Sequence, residues 1–195
     1  MKTSTNPESH QTFQKKISSH RLKPVVSSFS LDSALTPGFK TEEFSLKINV
    51  TFKDPDLLKN AFIHRSYLNE HKDFSGQSNE RLEFLGDSVL SIIVSDFLFK
   101  NLPKSGEGEL TQVRASLVRT ETLATVAKKL DLGSYLYLSK GEEDSDGRNN
   151  KTILANTFEA LVGAIYIDQG ISAAQTFIQK NILSSWKKLS ITAVT

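Results

Sequence analysis

Hydrophobic positions recur along most of this chain at helical spacing. From Glu80 to about Asn101, the residues Leu82, Leu85, Val89, Ile92 and Ile93 gather on one side of a helical projection, and Pro103 stops the pattern. A second apolar helix is predicted from about Thr152 to Asp168, closed by the turn Asp168-Gln169-Gly170. Shorter helices are predicted over 55–63, ending near His64-Arg65-Ser66-Tyr67, over about 109–130, closed by Gly133, and over about 172–188 with Ser172 as N-cap. The polar stretch Gly76 to Asn79 and residues 139–150 read as loops. Strand signals are weak: Phe44 to Val50 alternates briefly and then meets Asp54-Pro55, a helix start. No internal repeat is present. The pattern predicts an all-α domain over 45–188, with a C-terminal tail over 189–195.

The first 44 residues follow another rule. They are rich in Ser and Thr, carry Pro7, Pro24 and Pro37, and show no sustained apolar period. Such a segment cannot bury enough surface to offset its ordering entropy, so a disordered tail is expected. Its charge changes the reading of the whole chain. The net +2 comes from 24 Lys and Arg against 22 Asp and Glu. Residues 1–41 hold six basic and two acidic groups, net +4, which leaves 18 basic and 20 acidic groups, net −2, for the rest. A mildly acidic core thus follows a basic tail. The tail has some character of an organelle transit peptide, but its single Arg and early Glu8 favour a solvated tail and a cytoplasmic protein. The absence of Cys excludes thiolate metal sites, disulfides and Cys nucleophiles. No apolar run approaches the roughly 18 to 20 residues that span a bilayer, so no membrane partner is expected.

Candidate chemistry lies in the two apolar helices. In the first, Glu80, Glu83 and Asp87 fall within about 60° of one another, away from the apolar side. Like charges at these spacings repel and call for compensation by a cation such as Arg81 or by a divalent metal. Mg²⁺ suits such hard oxygen donors. A solvated acidic face is the plain alternative. In the second helix, Asn156 and Glu159 interrupt an otherwise apolar run, Thr157 aside. A buried unpaired carboxylate is costly, so Glu159 must meet water, a cation or a metal, and a salt bridge at the core's edge would also satisfy it. Gly86 and Gly163 would let the two helices approach closely and gather these oxygens into one site.

At these residues the sequence closely resembles ribonuclease III. Asn79-Glu80-Arg81-Leu82-Glu83-Phe84-Leu85-Gly86-Asp87-Ser88-Val89-Leu90 resembles that family's signature almost residue for residue. His64-Arg65-Ser66-Tyr67, Glu107-Gly108-Glu109-Leu110-Thr111, Arg114 to Val118 and Leu154 to Tyr166 resemble further family blocks in the same order. The resemblance covers about 45–188. It implies a homodimeric all-α nuclease domain that cleaves double-stranded RNA with Mg²⁺, Mn²⁺ being a possible substitute, to 5′-phosphate and 3′-hydroxyl ends. It makes Asp87 and Glu159 catalytic, and Glu83, Asp87, Asn156 and Glu159 metal-binding. Glu80 and Glu107 become accessory acidic groups in the RNA valley, and Phe84 a dimer-interface residue.

Two departures bear on this expectation. Asn156 stands where the family often has Asp, so Mg²⁺ binding is expected to be weaker with activity retained. The sequence ends about nine residues after Trp186, with no room for the RNA-binding domain the family commonly adds. That reads as a truncated chain, or as a protein that works without it. The expected role is RNA processing, including ribosomal RNA. The alternative is a catalytically weak or inactive ribonuclease-III-like protein that holds RNA, for example on a ribosome. Among lesser features, His64 reads as structural, Asp144 to Gly147 as an acidic loop, and Trp186 as packing within the last helix.

Overall fold

The Asp54-Pro55 step starts a helix and ties it to a distant part of the chain. Asp54 sits in extended backbone and its carboxylate accepts from the amides of Asp56 and Leu57, capping helix α2, Pro55–Asn60. The Asp168 carboxylate in turn accepts from the amides of Lys53 and Asp54, at 2.9 Å each, fastening this start to the far end of the sequence.

The computed structural model describes residues 41–186. The basic tail up to residue 40 and the C-terminal tail 189–195 lie outside the described residues. Before α2 comes α1, Thr41–Ile48. After it come α3, Arg65–Glu70; α4, Glu80–Asn101; α5, Glu107–Val118; and α6, Thr120–Lys129. Then follow α7, Lys140–Asp144; α8, Lys151–Gln169; and α9, Ile171–Asn181. Short 3₁₀ turns occupy Leu132–Tyr135, Gly147–Asn149 and Leu183–Ser185. Among the described residues the only β pairing is an isolated parallel bridge between Ile63 and Tyr137. The all-α expectation holds. Among the described residues no helix is long and apolar enough to cross a membrane.

Helices α4 and α8 form the central pair, the most extensive contact between elements, with α6 and α9 packed on α8. Their mutual core includes Leu82, Val89, Leu90, Ile93 and Val94 from α4 and Leu154, Phe158, Leu161 and Ile165 from α8, all buried. Each fully buried Leu, Ile or Phe contributes roughly 1.5–3 kcal/mol.

Five sequence expectations are corrected. The alternation from Phe44 is helical, and α1 starts at Thr41, inside the segment read as tail. Phe44 and Ile48, four apart, are buried, while Leu46 between them is 81% exposed; a strand would have put all three on one face. A separate helix, α3, occupies the stretch after His64, whose ring accepts from the Ser66 amide as its cap. The expected single helix over 109–130 is two, broken at Arg119, whose backbone is extended with φ −66° and ψ 154°. The expected loop 139–150 holds α7, capped by Ser139, which accepts from the Glu142 amide. The last helix starts at Ile171 with Gly170, not Ser172, at its cap position, and ends at Asn181. Trp186 packs edge-on to Phe97 of α4, 5.9 Å between centroids.

Candidate active site

The site is built where α4 and α8 touch backbone to backbone. A Cβ on Gly86 would overlap the Glu159 carbonyl oxygen and stand 2.6 Å from its carbon and 2.9 Å from the Gly163 nitrogen. A Cβ on Gly163 would overlap the Leu82 carbonyl oxygen and stand 3.2 Å from the Gly86 nitrogen. The paired glycines therefore act as expected, letting the helices close to a distance that any side chain would prevent.

That closeness decides what the polar residues face. From Ile153 to Ile165 every residue of α8 is buried except Asn156 and Glu159, which are half-buried. Both turn toward the first turns of α4. The Asn156 side chain hydrogen-bonds Glu83, and the charges of Asp87 and Glu83 act on Glu159. The Glu159 carboxyl is pushed up to about 7, first by burial and then by repulsion from Asp87 and Glu83. Glu83 is also pushed up, by burial first and then by Glu80, with Asn156 opposing the shift. Glu80 lies at the rim, accepting from the Ser78 hydroxyl at 2.7 Å, with Arg65 3.9 Å away.

The structure thus brings Glu80, Glu83, Asp87, Asn156 and Glu159 into one neighbourhood. Glu107 opens α5, accepts from the Thr111 hydroxyl at 3.0 Å, and is not among the groups that act on Glu83 or Glu159. Among the described residues no three His, Cys, Asp or Glu side chains converge closely enough to hold an ion by themselves. The donor chemistry nonetheless fits a hard cation. All the donors are oxygens, and two of the carboxyls resist ionising in one another's presence, a conflict that a cation relieves. Mg²⁺ commonly takes one or two carboxylates and completes its shell with water and substrate phosphate.

Phe84 is 78% exposed, next to Asp87 on the helical projection. With Ile92 at 63% and Phe99 at 73% it forms an apolar stripe along α4, spaced by Ser88 and Ser95. Ile92, expected on the buried side, belongs to this stripe instead.

Residues 54–186 match the model of the family described as ribonuclease-III-like. The chain belongs to that family. A protein named ribonuclease 3 from Protochlamydia amoebophila is 47% identical over 154 residues, 73% of this chain and 63% of that protein. Another, from Treponema denticola, is 46% identical over 159 residues, 80% of this chain and 64% of that protein. The chain spans about three-fifths of the length of these curated relatives. Among solved structures, the nuclease domain of ribonuclease III from Campylobacter jejuni superposes with a TM-score of 0.67 at 35% identity, covering 74% of this chain and 94% of that one. A Dicer from Pichia stipitis gives 0.51 at 27% identity over 73% of this chain and 59% of that one. The ribonuclease-III-like match takes in both α4 and α8, and so all five residues of the carboxylate neighbourhood.

Sequence reading missed the buried polar residues behind the site. Ser66, Asn79 and Ser139 are each at most 9% exposed. Their only signal was a polar residue type beside a helix start, which is ordinary on a surface.

Proposed function

We propose that this chain is an Mg²⁺-dependent endoribonuclease that cleaves double-stranded RNA to 5′-phosphate and 3′-hydroxyl ends, acting as a homodimer in RNA processing. The observation that carries this reading is the facing of Glu83 and Asp87 on α4 by Asn156 and Glu159 on α8, across glycines that fix the two helices backbone to backbone. Glu83, Asp87, Asn156 and Glu159 would hold the cation, Mg²⁺ or Mn²⁺. Bound there, it supplies positive charge beside the scissile phosphodiester and a water of lowered pKa. Asn156 orients Glu83 through their hydrogen bond. The rigid helix pair holds the carboxylates without reorganisation during reaction. Arg65, at the rim beside Glu80, offers a guanidinium to an approaching phosphate. Recognition would rest on A-form shape, phosphates and 2′-hydroxyls.

Labelled duplex RNA, incubated with and without Mg²⁺, tests the reading. Cleavage that needs the cation is expected. Intact duplex that is nonetheless bound would instead favour a holding protein without catalysis, a second reading prompted by the neutral Asn156. In the same assay Asn156→Asp is expected to lower the Mg²⁺ concentration at half-maximal rate by about tenfold. An unchanged midpoint would remove Asn156 from the cation's surroundings.

The apolar stripe on α4 supports the homodimer, and a Campylobacter jejuni ribonuclease III nuclease domain is described as having a region involved in dimer formation. An exposed aromatic between polar neighbours is the usual anchor of such an interface. Phe84→Ala is expected to weaken self-association by about 2 kcal/mol, roughly 30-fold in Kd. Sedimentation equilibrium reads this directly, and unaltered association would place the interface elsewhere.

A further inference from the structure

We propose that Asn79 is a positioning residue for the carboxylate site, clamping the first turn of α4 so that Glu83 is held facing Asn156 and Glu159. The inference rests on the nuclease reading above.

Asn79 occupies the N-cap position of α4, where an Asn ordinarily sits in extended backbone and accepts an amide from the first turn. Here it does neither. Its backbone is helical, φ −73° and ψ −5°, and its side chain makes no capping bond. Yet it is 4% exposed, so its polar groups are engaged inside the protein. The Nδ2 donates to the Ala61 carbonyl at 3.2 Å, and the backbone N–H donates to the Ile63 carbonyl at 2.8 Å. Two donors of one residue thus grip two carbonyls of one bend. The Asn79 carbonyl then accepts from the Glu83 amide at 2.9 Å. Glu83 is one hydrogen bond from the clamp.

The bend itself is anchored. Tyr137 N–H donates to the Phe62 carbonyl at 2.9 Å, and His64 N–H to the Tyr137 carbonyl at 3.1 Å. The buried Ser66 hydroxyl accepts from the Ser139 amide at 3.0 Å and meets His64 Nδ1 at 2.8 Å. The grip therefore ends on a fixed part of the fold.

A clamp is needed at this point for two reasons. The first turn of a helix lacks internal acceptors for its amides and frays most readily. This one carries Glu80 and Glu83, which repel each other, while Asp87 and Glu159 add to the repulsion within the cluster. Arg65 offsets part of this repulsion, and Asn79 holds the turn against the rest. Donors held in place before a cation arrives bind it more tightly than donors that must first be gathered, so a small slip of Glu83 suffices to weaken the site for metal.

Asn79→Ala removes the Nδ2 bond and keeps the backbone bond to Ile63, so the variant should fold. Leu117→Ala, a buried truncation on α5, serves as a control for lost stability alone. Three quantities are compared with wild type: amide hydrogen exchange at residues 81–83, the rise in Tm on adding Mn²⁺, and the Mg²⁺ midpoint of duplex cleavage. Asn79→Ala is expected to speed exchange at the Glu83 amide, shrink the Mn²⁺ response and raise the Mg²⁺ midpoint about tenfold, with the rate at saturating Mg²⁺ within a few-fold of wild type. Leu117→Ala should lower Tm and leave the midpoint in place. If Asn79→Ala behaves like Leu117→Ala, Asn79 is only a stabilising residue and the proposal falls. Unchanged exchange at Glu83 overturns the clamp whatever the metal does. A wild type that neither responds to Mn²⁺ nor cleaves overturns the nuclease reading separately.

Discussion

Gly86→Ala is expected to destabilise the protein by about 3 kcal/mol or more, the upper end for an overpacked core. The intrinsic preference of helices for Ala over Gly, about 1 kcal/mol, works the other way and is too small to rescue it. The reason is what the added methyl would meet. Its three nearest neighbours are the Glu159 oxygen, the Glu159 carbon and the Gly163 nitrogen, all backbone, and none can move by a rotamer change. The two central helices would have to separate along their shared length, opening voids between Leu82, Val89 and the α8 side chains. Gly108→Ala is the matched control. Open space surrounds that position in α5, so the same substitution should be neutral or stabilise by up to about 1 kcal/mol. Urea unfolding of both variants measures the contrast. A Gly86→Ala protein as stable as wild type would mean that α4 and α8 are not in backbone contact. The consequence reaches the site as well, since Gly86 lies between Glu83 and Asp87, and Gly163 one turn beyond Glu159.

That glycine pair was legible in the sequence because it coincided with two other signals, a carboxylate face on one helix and two polar interruptions on an apolar one. Asn156 and Glu159 stood out for the same reason that they matter. In a run that is otherwise buried, a polar side chain has to be turned toward something. Where the reading failed, the local pattern fitted two structures equally. Phe44, Leu46 and Ile48 alternate as a strand would, and also place Phe44 and Ile48 four apart as a helix would; only the exposure of Leu46 separates the two. Arg119 breaks a helix with neither Pro nor Gly nearby. The Thr122 hydroxyl donating to the Ser116 carbonyl at 2.8 Å stitches the two sides together, a local bond that residue types alone do not announce. Periodicity places Ile92 in the core because a periodic pattern records that a face is apolar and is silent on whether this chain or another covers it. Asn79 was hidden by its position, since an Asn before a helix looks like a cap whichever way its amide points.

Glu159→Gln is expected to separate the cost of the site from its use. The Glu159 carboxyl is pushed up from its ordinary 4.5 to about 7, because burial penalises the charge and Asp87 and Glu83 repel it. Between those values the folded protein holds a proton that the unfolded chain releases, so proton uptake favours the fold. That contribution is complete below about 4.5 and is lost as pH rises through about 7. Glu83, raised in the same direction, adds to the trend. In the presence of a chelator, wild-type Tm should therefore fall as pH is raised from about 5.5 to about 8. Gln is neutral throughout, so the variant should show a flatter profile and exceed wild type in Tm at the alkaline end. With Mg²⁺ and duplex RNA the order should reverse. The variant lacks the charge that would hold the cation, and cleavage should fall at least about 100-fold. A variant that flattens the profile and still cleaves at the wild-type rate would confine Glu159 to the interior and take it out of the reaction. One that cleaves poorly but keeps the wild-type slope would transfer the raised carboxyl to Glu83, one turn from Gly86 and held by Asn156.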